Sequence, residues 1–174
     1  MLVIPVFLLA FALISIPVMA APATKIEGVT LTVAAPPPVM DPGYPRVVGH
    51  TVLHGRGTDD GTVTLIIPGY PLPEGIWEST WSSKVKLSNY PLPDPEATIV
   101  INGKVTLTFI GEGTTGTFTG TTHRKIMGWP PGSSSIMEDH MVLHGTGDFK
   151  GQTLKLSCEP VLPPVIEGCL IIPK

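Results

Sequence analysis

The chain has 174 residues, of which 20 are proline, 19 are glycine and 14% are charged. This density of helix-breaking residues excludes a helical bundle or coiled coil, and a hydrophobic fraction of 43% excludes a disordered chain. With a net charge of −3 and 11 basic residues, the chain lacks the clustered cations of nucleic-acid-binding proteins, so we expect no nucleic-acid partner.

The N-terminal segment predicts export. Residues 2–21 carry no charged side chain, and the segment ends in Pro17-Val18-Met19-Ala20-Ala21. A helix breaker followed by small residues is typical of a signal-peptidase site, so we predict a signal peptide over residues 1–20. The alternative is an uncleaved membrane anchor, because about 20 apolar residues can just span a bilayer. We therefore expect a secreted or extracytoplasmic protein, which contacts a membrane only if this segment is retained.

Residues 21–174 predict one all-β domain. Gly28–Val33 and Lys104–Ile110 alternate apolar residues with threonine, which is the period-2 pattern of a half-buried strand. Asn102-Gly103 predicts a two-residue hairpin turn, and Asp59-Asp60-Gly61 predicts another tight turn. Further predicted strands are Arg46–Arg56, Thr62–Ile67, Glu74–Leu87, Thr98–Ile101, Thr115–Lys125, Ile136–Thr146, Gln152–Glu159 and Val165–Ile172. About ten strands without a helical period predict a single antiparallel β-barrel or a sandwich.

An internal repeat suggests that the domain is duplicated. Residues 50–57 (HTVLHGRG) match residues 140–147 (HMVLHGTG), and the match extends to Gly61 and Gly151 at the same offset. One copy of such a unit cannot bury its apolar face alone, so we expect two copies to close on each other around one pseudo-symmetric core.

One segment resembles a known family. Residues 138–156 (EDHMVLHGTGDFKGQTLKL) resemble the strand–turn–strand phrase of allene oxide cyclase and dirigent-like barrels, in which a GxGxFxG turn joins two adjacent strands. The matching residues are Gly145, Gly147, Phe149, Gly151 and Leu156. The resemblance implies a β-barrel. It includes no pattern of that family's active site, so it assigns no catalytic residue.

Four of the five histidines form two His-x3-His pairs, His50/His54 and His140/His144. In a strand the members of each pair share a face, but their Cα atoms lie roughly 13 Å apart, too far for one metal ion. Pseudo-symmetry could instead bring His54 beside His144, or His50 beside His140, and such a site would take Zn or Cu. The alternative is that the repeat preserves strand packing, in which case no cofactor is expected.

The cysteines and tryptophans have simpler interpretations. In an oxidising compartment Cys158 and Cys169 are expected to form a disulfide, the alternative being two free buried thiols. Trp77 and Trp81 share their face with apolar residues, which favours core packing over stacking on a sugar ring. Trp129 lies in a proline-rich loop and is the candidate ligand-binding aromatic.

The chemical motifs favour binding over catalysis. The chain has no GxSxG elbow, phosphate loop, dinucleotide fingerprint or CxxC. We expect an exported non-catalytic β-barrel protein that binds a small apolar ligand inside the barrel, or a cell-surface or envelope partner. The alternative is a metal-dependent or cyclase/isomerase-like barrel enzyme built on His54 and His144.

Overall fold

The computed structural model describes residues 22–49, 51–87, 94–111, 113–129, 135–158 and 166–173, and the protein is all-β. The predicted signal segment lies outside these ranges. Among the described residues there is no helix with the length and hydropathy needed to cross a membrane. The strands are β1 (Thr24–Ala34), β2 (Val39–Met40), β3 (Arg46–Val48), β4 (Val52–Ile66), β5 (Gly75–Lys86), β6 (Asp94–Gly111), β7 (Thr114–Trp129), β8 (Ser135–Gly147), β9 (Thr153–Cys158) and β10 (Ile166–Ile172).

All ten strands belong to one sheet, which closes on itself. The strands β4 to β9 each pair antiparallel with the next strand along the chain, and β1 pairs with both β10 and β4. Eight strands therefore form an up-and-down barrel, while β2 and β3 pair with β4. The all-β prediction is confirmed. Closure of the sheet pairs backbone N–H and C=O groups that the edge strands of an open sheet would leave without strand partners.

The strands β1, β2 and β3 follow one another along the same edge of β4. Ala34 is opposite Thr62, and further along Arg46 is opposite His54. The chain then reverses through Gly49, whose φ of 67° is the left-handed conformation that glycine adopts readily. The prediction of one strand from Arg46 to Arg56 is therefore wrong, because this turn divides it.

Two predicted turns are also wrong. The strand β6 runs straight through Asn102-Gly103, and β4 runs straight through Asp59-Asp60-Gly61. A Cβ on Gly103 would lie 2.9 Å from the carbonyl oxygen of Thr80, so this glycine permits close strand packing. Asp59 points inward and accepts a hydrogen bond from the hydroxyl of Ser79 on β5. Asn102-Gly103 is paired with both β5 and β7, and Asp59-Asp60-Gly61 is paired with β5, and this pairing overrides the local turn preference.

Side-chain alternation builds the core as expected. Val105, Leu107 and Phe109 all point inward and are fully buried. Phe149, in the turn between β8 and β9, stacks on Phe118 with ring centroids 4.5 Å apart and meets Phe109 edge-on at 5.9 Å. An eight-stranded barrel is just wide enough for side chains to fill it. The remaining members of this main cluster are Val29, Leu31, Val63, Leu65, Ile67, Trp77, Met141, Leu143, Leu154, Leu156 and Leu170.

A polar pair lies on the inner face, between the main cluster and a smaller apolar one. Asp139 of β8 is buried and receives hydrogen bonds from Arg124 of β7, at 2.8 Å from Nε and 2.6 Å from Nη2. Thr122 also donates to this carboxylate, at 3.5 Å. The smaller cluster, beyond the pair, comprises Val85, Leu87, Ala97, Ile99 and Ile126 with Leu53 and Ile101 packed against it.

The two copies of the sequence repeat lie on β4 and β8, which are opposite in the ring of eight strands. Their alternation agrees, since Leu53 and Leu143 face inward while His54 and His144 face outward. The copies then diverge, because Gly61 continues β4 whereas Gly151 lies in a turn with φ of 84°. Duplication of the unit therefore stays a prediction.

The register of β9 and β10 opposes the predicted disulfide. Cys158 is opposite Ile166, whereas Cys169 is opposite Lys155, three positions further along the ladder. Three residues of strand span about 10 Å, and the Cα atoms of a disulfide lie no more than about 7 Å apart. Cys169 is accordingly a free, buried thiol in the structure, which is the alternative that the sequence left open for it.

Candidate functional site

The structure separates the two histidines of the predicted enzyme site. His54 on β4 lies between Arg46 and Lys84 of the neighbouring strands. His144 lies on β8, with its Nδ1 3.3 Å from the hydroxyl of Thr153. Three strands separate β4 from β8 in either direction around the ring, and both imidazoles point outward. The barrel therefore holds His54 and His144 on opposite outer surfaces and does not bring them beside each other.

The other predicted histidine pair, His50 with His140, stays a prediction. His50 lies outside the described residues, and the cross-strand neighbour of His140 on β7 is His123. In the described part of the chain, no three His, Cys, Asp or Glu side chains form a group that could hold a metal ion. Sequence reasoning missed His123 because it is not part of the repeat, and only the register of β7 against β8 places it beside His140.

The prediction of core packing is confirmed for Trp77 but not for Trp81. Trp77 is 8% exposed and belongs to the main core cluster, although its indole Nε1 has no hydrogen-bond partner among the described residues. Trp81 is partly buried and lies against β4, where a Cβ on Gly57 would come within 2.9 Å of its ring. The backbone of Trp129 ends β7 opposite Asp94, and its side chain lies outside the described residues.

A groove of about 790 Å³ lies on the outer surface of β4, β5 and β6. The cross-strand neighbours Ser82 and Asn102 form its floor, and the Ser82 hydroxyl donates a 3.5 Å hydrogen bond to the Asn102 carbonyl oxygen. Tyr44, before β3, lies at the edge, with the Arg46 guanidinium 5.4 Å from its ring centroid. The complete lining is Tyr44, His54, Gly55, Arg56, Thr80, Trp81, Ser82, Ser83, Lys84, Val100, Asn102, Gly103, Lys104 and Thr121.

Short side chains between long ones produce the depression. Outward positions alternate along each strand, so β5 presents Thr80, Ser82 and Lys84, while the next strand presents Asn102 and Lys104. The hydroxyl and amide groups stay close to the backbone, whereas the lysine side chains can extend from the walls. The groove thus combines hydrogen-bonding groups at its floor with cations around it.

The groove is cationic although the chain as a whole is acidic. Arg56, Lys84 and Lys104 line it, and no Asp or Glu does. Arg56 is partly neutralised, because its Nε lies 3.0 Å from Asp41 Oδ2. Lys84 and Lys104 form no ion pair within the described ranges. Two ammonium groups without ion-pair partners and a partly neutralised guanidinium favour an anionic occupant.

The sequence contained a signal for this site that was obscured by one wrong turn. The outward positions of residues 80–84 are all polar, and on the paired strand Asn102 and Lys104 are outward polar residues too. The predicted hairpin turn at Asn102-Gly103 places these two residues outside the strands, so the pairing of Asn102 with Ser82 was not predicted.

In comparisons with known proteins, no family model, curated protein or solved structure matches this chain.

Proposed function

We propose that the protein is an exported, non-catalytic binding protein that holds an anionic, hydroxyl-rich ligand, such as an acidic oligosaccharide, in the outer groove. The observation that carries the proposal is the lining of the groove, which has three Lys or Arg side chains and no carboxylate in a chain of net charge −3. Export rests on the apolar N-terminal segment of the sequence.

The packing of the barrel favours the outer surface over the interior. Phe109 and Phe118 are fully buried, and Phe149, in the turn that follows β8, packs against both rings. A small apolar ligand at this level would have to displace side chains that are packed to the density of a protein core. We therefore place the ligand in the groove instead of the apolar interior expected from the sequence.

The chemistry of the groove suits a carboxylate or sulfate carried on a polyhydroxylated ligand. Lys84 and Lys104 would attract the anionic group, and Ser82 and Asn102 offer donors and acceptors to hydroxyl groups. Because the cations are exposed, each contributes on the order of 1 kcal/mol or less, and the attraction weakens with salt. The proposal therefore implies modest affinity with a clear dependence on ionic strength.

The test compares an acidic oligosaccharide with its neutral counterpart. Isothermal titration of the mature chain with tetragalacturonate is expected to give binding that weakens between about 20 and 200 mM NaCl, whereas tetragalactose binds at least about tenfold more weakly. Lys84→Gln and Lys104→Gln are each expected to reduce affinity by about two- to fivefold, corresponding to about 0.4–1 kcal/mol. Lys155→Gln is the matched control, because Lys155 is exposed on β9, on the opposite side of the barrel.

Two results would contradict this proposal. Equal affinity for the charged and the neutral oligosaccharide would show that the cations do not select the ligand. An equal loss in the Lys155→Gln variant would show that net charge alone, without the groove, attracts the anion.

A further inference from the structure

The register of β7 and β8 places two histidines side by side on the outer surface. His123 is directly opposite His140, and the flanking pair Arg124 and Asp139 points to the inner face. Directly opposite residues in an antiparallel pair have Cβ atoms about 4.5–5.5 Å apart. His123 is partly buried and His140 is 62% exposed, so both imidazoles are accessible to a small ion.

An oxygen acceptor beside each imidazole determines its tautomer. Nδ1 of His123 lies 2.8 Å from Oδ1 of Asn102, an oxygen that can only accept, so Nδ1–H donates and Nε2 keeps its lone pair. Nε2 of His140 lies 3.2 Å from Oε1 of Glu138, so in the neutral ring Nε2–H donates and Nδ1 keeps its lone pair.

Each ring therefore has one nitrogen available as a ligand and one held by an oxygen acceptor. Metal-binding histidines show this arrangement, because the outer partner orients the ring and raises its basicity. The Glu138 carboxylate also lies next to the pair, directly opposite Lys125 of β7.

We propose that His123 and His140 together bind one divalent transition-metal ion, Zn²⁺ or Cu²⁺. Imidazole nitrogen suits both ions. No third His, Cys, Asp or Glu in the described part of the chain completes a ligand group, so water fills the remaining positions. The site is consequently open, unlike a structural zinc site with four protein ligands.

This metal site is separate from the anion-binding groove. Neither His123 nor His140 lines the groove. The two sites share only Asn102, whose backbone carbonyl accepts from Ser82 and whose side-chain oxygen accepts from His123. Metal binding can therefore be tested separately from anion binding with His140→Gln, which changes no residue that lines the groove.

The experiment is a Zn²⁺ titration of the chelator-treated mature protein by isothermal calorimetry. Wild type is expected to bind one ion, and His123→Gln and His140→Gln are each expected to weaken binding by at least about tenfold because one ligand is lost. His144→Gln is the matched control, since His144 is also exposed on β8 but its cross-strand neighbours are threonines. This control is expected to stay within about twofold of wild type.

A second measurement examines the positioning role of Asn102. Asn102→Ala is expected to weaken Zn²⁺ binding by about tenfold, and nitrogen-correlated NMR of the metal-free variant is expected to show that His123 no longer favours the Nδ1–H tautomer. Metal-free thermal midpoints identify any variant that has lost its fold, and the exposed His140 provides a substitution that leaves the core untouched.

Three outcomes would overturn the proposal. They are the absence of Zn²⁺ and Cu²⁺ binding in the wild type, full retention of binding in either the His123→Gln or the His140→Gln variant, and an equal loss in His144→Gln. Nitrogen superhyperfine structure from two imidazoles in the electron paramagnetic resonance spectrum of the Cu²⁺ form would support it independently.

Discussion

The inner ion pair between Arg124 and Asp139 predicts an asymmetric response to mutation. Asp139 is 3% exposed, whereas the Arg124 side chain is 34% exposed. Arg124→Met would leave a buried carboxylate with only the weak 3.5 Å hydrogen bond from Thr122, so we expect it to destabilise the protein by about 3–5 kcal/mol. Asp139→Asn leaves a cation that already reaches water, and we expect about 1–2 kcal/mol.

Urea unfolding of Arg124→Met, Asp139→Asn and a double variant would measure this difference in stability. The single substitutions should lower the midpoint unequally at an unchanged m-value. The Arg124→Met/Asp139→Leu double variant should recover to within about 1–2 kcal/mol of wild type, because neither charge is left unpaired. If the two single variants were equally destabilised, or if Asp139→Asn were destabilised more, the reasoning would be refuted. That reasoning holds that the burial of the remaining charged group determines how much stability is lost.

Three further predictions concern packing, thiols and surface charge. Phe149→Ala should destabilise the barrel by about 3–5 kcal/mol through the lost aromatic contacts and lower the thermal midpoint by roughly 2–4 °C per kcal/mol, with Phe149→Leu clearly milder. The mature protein, unfolded without reductant, should give two thiols in an Ellman assay, and none would show that Cys158 and Cys169 are joined by a register different from the one observed. Glu78→Thr should stabilise the protein by about 0.2–1 kcal/mol, because Glu78 is directly opposite Asp60; a gain that did not shrink in high salt would contradict this electrostatic origin.

The inward and outward faces of the strands could be predicted from the sequence. The alternation in Gly28–Val33 and Lys104–Ile110 places the apolar residues inward, and Val29, Leu107 and Phe109 are buried. The same reasoning correctly assigned Trp77 to the core. This succeeds because the side-chain period of a strand is a local property, set by the backbone geometry of neighbouring residues.

Local turn chemistry was misleading where a long strand pairs with its neighbours along the whole turn sequence. Asn102-Gly103 favours a hairpin turn in isolation, but β6 continues through it because the ladders with β5 and β7 supply its hydrogen bonds. The glycine contributes its lack of a side chain, which admits Trp81 and Thr122 close to β6. A short stretch of sequence does not show whether a glycine forms a turn or allows close packing within a strand, because the outcome depends on residues that are distant in the sequence.

The sequence by itself determined that this chain forms strands, which side chains those strands bury, and that its first residues carry an export pattern. Tertiary structure alone decided which residues are neighbours across strands. Barrel closure and register put His123 beside His140 and Arg124 beside Asp139, and the same register separates His54 from His144 and Cys158 from Cys169. The physical reason is that register is set by the fit of all the strands in the closed sheet, and a shift of one residue would reverse every face.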